Sequence, residues 1–223
     1  RMVESIMRKV VLVTGGARGI GREIAKNFER DHDVAITWLN TSPTQLSDDA
    51  LAIRADLTEA NSPEQIVAEV IDHFGRLDVI VNNAGLVAES TFERFDAAAV
   101  ARMIHVNLLA AEALLVAALP HLKPRSAIVN ISSVNAILPP RGAVLYGASK
   151  AAINLWTRGM AKELGARQIR VNAVAPGAVN IPEEPRSDES IKLFADETAL
   201  GCIATPEDIA RAVRFLAGDD ASF

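Results

Sequence analysis

Short runs of β-branched and apolar residues alternate along the chain with longer stretches whose apolar positions recur every three to four residues. A run that is apolar at successive positions reads as a strand covered on both faces, and the longer period reads as a helix lying against it. Strands are predicted at residues 9–14, 34–39, 50–55, 79–82, 127–131 and 169–175. Helices are predicted at residues 20–30, 63–73, 97–119, 146–164 and 206–216. The pairs Ser62-Pro63 and Thr205-Pro206 each supply a hydroxyl cap followed by a first-turn proline, while Gly75 and Gly165 are stop signals. Strands and helices in this alternation predict an α/β fold: a parallel sheet with helices on both faces, a three-layer sandwich in one domain covering residues 1–223.

The pattern is thin in one place. Between Asn40 and Asp49 ten mostly polar residues join two strands that should be parallel neighbours, whereas such a crossover normally takes a dozen residues or more and carries a helix. Either a segment is missing between about Ser42 and Ala50, or this crossover is abnormally short.

Composition narrows the function classes. The net charge is −5 and the basic residues are scattered, so neither a nucleic-acid footprint nor a polybasic membrane patch is indicated. No apolar run in the sequence approaches the roughly 20 residues that span a bilayer, and Arg1 to Lys9 lack the apolar stretch of a signal peptide. The single cysteine, Cys202, has no partner for an internal disulfide. These features predict a soluble protein of a reducing, cytoplasmic compartment. His32, His73, His105 and His121 are far apart, with no helical i,i+4 pair, so no metal site is read.

Two local patterns carry chemistry. The first strand runs into Gly15-Gly16-Ala17-Arg18-Gly19-Ile20-Gly21 and then a helix, an arrangement in which free N–H groups and the helix dipole can receive a pyrophosphate. The glycines stand at 15, 19 and 21, so the G-x-G-x-x-G spacing of other dinucleotide folds is not met, and a ligand-free glycine turn is the plainer alternative. Tyr146 and Lys150 lie four apart on one helix face, where an ammonium would lower the phenol's pKa by favouring the phenolate. Alone, such a pair is an ordinary solvated face.

Together with Thr14, Asn82-Asn83-Ala84-Gly85, Asn107 and Ser133, which precedes Tyr146 by 13 residues, these patterns match the ordered motif set of the short-chain dehydrogenase/reductase family. The chain resembles that family over nearly its whole length, including its 3-oxoacyl-carrier reductases. Asp56-Leu57, the run from Arg170 to Pro176-Gly177, and Pro206 to Ala210 extend the match.

The resemblance implies a Rossmann-like doubly wound sheet and hydride transfer between a nicotinamide dinucleotide and a small carbonyl or alcohol. Tyr146 would be the acid/base, Ser133 would hold the substrate oxygen, and Lys150 would tune the tyrosine and hold the nicotinamide ribose. Asn107 would hold a water linking Lys150 to solvent, or else be a satisfied polar residue. Gly15, Arg18, Gly19, Ile20, Gly21, Asp56, Leu57, Asn83, Ala84, Gly85, Pro176 and Gly177 would bind cofactor with Tyr146 and Lys150. Ser132, pointing the other way along the strand, is read as structural, and Asn82 as a tie between strands.

NADP(H) is favoured over NAD(H), because the end of the second strand, Ile36 to Thr41, holds no carboxylate for an adenosine 2′-hydroxyl and Arg18 offers a cation for a 2′-phosphate. The family also implies a homotetramer and a final strand after Phe223. Two rivals remain in view. Gly147-Ala148-Ser149-Lys150-Ala151 resembles a nucleophile elbow, but it lacks the fifth-position glycine and no histidine follows Ser149. A nucleotide sensor without catalysis would not need Ser133, Tyr146 and Lys150 together. Residues 179–198, the expected substrate loop, show no readable motif.

Overall fold

The computed structural model describes residues 8–222. Six parallel strands, β1 (Lys9–Val13), β2 (His32–Trp38), β3 (Leu51–Arg54), β4 (Val79–Asn82), β5 (Ala127–Ile131) and β6 (Arg170–Val174), pair in the order β3-β2-β1-β4-β5-β6. All six occur where the apolar runs predict them. β2 starts two residues earlier than its apolar run, because His32 and Asp33 pair with Lys9 and Val10 of β1. The order reverses between β1 and β4, so a crevice opens there at the carboxyl ends of the strands, where doubly wound sheets place ligands.

One face of the sheet is covered by α2 (Ser62–Phe74), α4 (Ala110–Ala118) and α5 (Val144–Gly165), around Leu12, Ile80, Ile128 and Leu114. The opposite face carries α1 (Gly19–Phe28) and α7 (Pro206–Ala217) over Val11, Val13, Val81 and Val129. Alternate strand residues thus enter different cores, as the period of two requires. Thr205 caps α7 in a reciprocal arrangement with Asp208, and Gly75 ends α2 at φ 74°, both as the sequence signals.

Three expectations need correction. The helix predicted as one element at 97–119 is α3 (Ala97–Ile104), a π-helical turn (His105–Leu109) and α4, and the buried Asn107 sits in the π turn. This continuous helix, Ala97–Ala118, is long and apolar enough by length and composition to cross a membrane, contrary to the reading that no apolar run is. Here its inner face is part of the core, with Met103, Ala110, Leu114 and Ala118 buried. Finally, residues 179–198 contain a helix, α6 (Asp188–Asp196), capped by Ser187.

The connection between β2 and β3, residues 39–50, has no helix, yet the two strands pair in parallel from Ala35 opposite Leu51 to Trp38 opposite Arg54. Leu46 and Ala50 pack against the α1 side of the sheet, where a crossover helix would lie.

Candidate active site

A cleft of about 490 Å³ runs across the carboxyl ends of the strands. Every residue predicted for catalysis or cofactor binding lines it except Asn107.

At one end is the glycine turn. Gly15 holds a φ of +64°, open to glycine at little cost, and a Cβ on Gly21 would stand 2.2 Å from the Gly15 carbonyl oxygen and 2.4 Å from the Asn83 amide nitrogen. The turn is held from both neighbouring strands: Thr37 Oγ1 accepts from the Gly15 N–H at 3.1 Å, and Asn83 Nδ2 donates to the carbonyls of Thr14 and Gly15 at 2.9 and 3.1 Å. Thr14 Oγ1 in turn accepts from the N–H groups of Asn83 and Ala84. Asn83 therefore shapes the turn, while Ala84 and Gly85 face the cleft.

At the other end, β5 and the first turns of α5 bring Ser133, Tyr146 and Lys150 together. Ser133 Oγ accepts from the Asn135 N–H at 3.1 Å as the cap of a short 3-10 turn, so its own hydrogen is left to donate elsewhere. Its hydroxyl lies close enough to the Tyr146 phenol to act on that group's pKa. Ser132 Oγ donates to the Lys150 carbonyl at 3.2 Å and is structural, as its strand position implies. Lys150 is 4% exposed. Its Nζ donates to the Ile131 carbonyl at 2.8 Å and stands 5.8 Å from the Tyr146 ring centroid.

The electrostatics differ from the sequence expectation. Burial raises the Tyr146 pKa above its ordinary value, and the Ser133 hydroxyl only partly offsets it; the predicted lowering by Lys150 is not the dominant effect. Burial acts on the lysine as well, pulling it down to about 8. Desolvation disfavours the charged form of each, so the phenol keeps its proton and the ammonium releases one more readily.

Asn107 is the residue the cleft does not include. Its Oδ1 accepts from the Leu86 N–H at 2.8 Å, and its Nδ2 donates to the Leu86 carbonyl and to Ser149 Oγ at 2.9 and 3.0 Å. The side chain is thus hydrogen-bonded at both its oxygen and its nitrogen. It lines a separate cavity of about 10 Å³ shared with Lys150, near the size of one water. Asn82 Nδ2 donates to Asn130 Oδ1 at 2.8 Å, tying β4 to β5 as predicted.

Three acid–base pairs at the cleft are not legible from local sequence. Asp56 accepts from Thr58 and from Arg102 at 3.0 Å; burial raises its pKa, but these donors outweigh it and hold the carboxyl below its ordinary value. Arg18, predicted as a cation free for a phosphate, is paired with Glu184. Arg22 pairs with Glu183 at 2.6 Å, and the same carboxylate accepts from the Gly19 N–H at 3.4 Å. Among the described residues, no group of three or more His, Cys, Asp or Glu could hold a metal ion.

The residues present fit a dinucleotide: a glycine cradle that a Cβ would fill, a helix start behind it, and a cleft long enough to reach Tyr146. A doubly wound parallel sheet with this cleft and a Ser-Tyr-Lys cluster at its far end defines a nucleotide-dependent oxidoreductase. The chain belongs to the short chain dehydrogenase family, whose model matches residues 9–190.

It is 36% identical over 228 residues to "NADPH-dependent aldehyde reductase 1, chloroplastic" of Arabidopsis thaliana, covering 94% of this chain and 79% of that protein. It is 34% identical over 234 residues to "Glucose and ribitol dehydrogenase" of Daucus carota, covering 96% and 80% respectively. Among solved structures, a short chain dehydrogenase of Burkholderia cenocepacia J2315 in complex with NADP superposes with a TM-score of 0.87 at 32% identity, over 96% of this chain and 92% of that one. A short-chain dehydrogenase/reductase of Serratia marcescens gives 0.88 at 34% identity, with the same coverage.

Proposed function

We propose that the protein interconverts a small carbonyl compound and its alcohol with Tyr146 as the acid/base, and with NADP(H) preferred to NAD(H). The observation that carries the catalytic assignment is the joint placement of Ser133, Tyr146 and Lys150 on the dinucleotide cleft. A bound nicotinamide supplies the hydride in reduction and accepts it in oxidation. In reduction the neutral Tyr146 hydroxyl gives its proton to the substrate oxygen, and in oxidation the phenolate takes it back. Ser133, fixed by the Asn135 N–H, directs its hydroxyl hydrogen to the same oxygen. Lys150, with its pKa near 8, is suited to return a proton toward Tyr146 and to hold the ribose. Asn107 acts as a positioning residue, joining the loop after β4 to α5 through Leu86 and Ser149.

The preference for NADP(H) is supported by the cleft wall Thr37 to Thr41, which contains no carboxylate, and by the NADP(H) in the names of two of the proteins above. Leu109 and Val116 on one long helix and Leu155 on α5 are 49, 60 and 66% exposed, and Trp156 Nε1 joins the two helices by donating to Glu112 at 2.6 Å. Such an apolar double-helix face suits a homotetramer. A monomer by light scattering at micromolar concentration would remove that part.

Replacement of Tyr146 by Phe tests the mechanism. Oxidation of NADPH with a panel of aldehydes and ketones should fall by about 10²-fold or more, the scale of general acid catalysis, while NADPH binding stays within twofold. Turnover within tenfold of wild type would overturn the assignment.

A further inference from the structure

The loop after β6 is anchored at its base and turned down at its tip. Asn180 N–H donates to the Ala204 carbonyl at 2.9 Å and Ala204 N–H to the Ala178 carbonyl at 3.0 Å. Glu184 N–H donates to the Ile181 carbonyl at 3.0 Å, closing a tight turn around Pro182 and Glu183. This tip lies on the glycine turn. A Cβ on Gly19 would be 3.3 Å from Ile181, Glu183 takes the Gly19 N–H and Arg22, and Glu184 takes Arg18. Arg22 is 8% exposed, and its Nε finds no hydrogen-bond partner although Nη1 is held by Glu183.

Two carboxylates thus occupy donors that suit an anion at the start of α1. Resting on the reading of the cleft as a dinucleotide site, we propose that Glu183 and Glu184 are affinity-setting residues that compete with the cofactor's pyrophosphate. The Gly19 N–H is a single donor already given to Glu183, and the Arg18 and Arg22 charges are offset by the two carboxylates, so binding of the dinucleotide displaces the tip from the turn. The pair Arg18–Glu184 is half exposed, with side chains 50 and 66% accessible, so it exchanges readily; Arg22–Glu183 is the more enclosed contact.

The test is a fluorescence titration with NADPH and, separately, with adenosine, which has neither the pyrophosphate nor the 2′-phosphate. The double substitution E183Q/E184Q should tighten NADPH at least about fivefold and leave adenosine within twofold. E184Q alone should give a smaller tightening. NADPH binding that is unchanged or weaker in both variants, with unfolding midpoints like wild type, would overturn the proposal and make the glutamates a strap that favours the bound cofactor. A tightening of adenosine equal to that of NADPH would overturn it too. A wild-type protein that binds no NADPH would instead sink the reading of the cleft itself.

Discussion

The two ends of the cleft secure their polar groups by different means. At the catalytic end Lys150 donates to a main-chain carbonyl, Ser133 accepts from a main-chain N–H, and both are more than nine-tenths buried. At the phosphate end, the cations of the glycine turn are held by side-chain carboxylates of an exposed loop. A contact to the backbone of a central strand breaks only if the sheet moves, whereas a carboxylate on a loop can be exchanged for another anion. One end is held by the main chain and the other by side-chain ion pairs.

The comparison breaks most sharply at Lys150. Lys150→Met should abolish measurable turnover and separate the proton inventory from the fold. The folded lysine has its pKa depressed to about 8 from 10.5, so between those values the unfolded chain binds more protons and stability rises with pH. Below pH 8 both states are protonated and the burial cost is full. Wild type should therefore gain up to about 3 kcal/mol relative to Lys150→Met from pH 8 to 10.5, read by denaturant unfolding at each pH. A constant difference would show that the lysine is not desolvated.

At the other end, Gly21→Ala places a methyl group against Gly15 and Asn83. Overpacking of about 1–3 kcal/mol should weaken NADPH roughly 10- to 100-fold. Turnover at saturating cofactor should stay within about threefold, because the catalytic contacts are separate; an equal loss in both would merge the two ends into one unit. The smallest effect belongs to Arg102→Ala. Its pair with Asp56 is partly exposed, and its loss should shift stability by less than about 1 kcal/mol in thermal unfolding. A larger loss would mean that the adenosine side is as firmly built as the catalytic side.

The division also explains what the sequence reveals. The strands, the glycine turn and the choice of Ser133 over Ser132 follow from short-range rules, namely apolar runs, glycine placement and the alternation of strand side chains. The pairing of Gly19 with Glu183 spans 164 positions and leaves no local mark. α6 was hidden because none of its residues is buried and its segment is rich in Pro, Glu and Ser. The π turn at Asn107 occurs in a run that is apolar and helix-forming on both sides, so periodicity does not reveal it. The rise in the Tyr146 pKa depends on burial in the folded site, which no i,i+4 spacing encodes.

The helix-free crossover from β2 to β3 has a mechanical consequence. β3 is four residues long, borders only β2, and leaves Ala52 and Arg54 exposed beside residues 39–50. With so little apolar surface to separate, this margin can detach while the central strands stay paired. The cleft wall formed by Trp38 to Thr41 adjoins this margin, so amide hydrogen exchange at Leu51 to Arg54 should be faster than at Val11 to Val13 in the middle of the sheet.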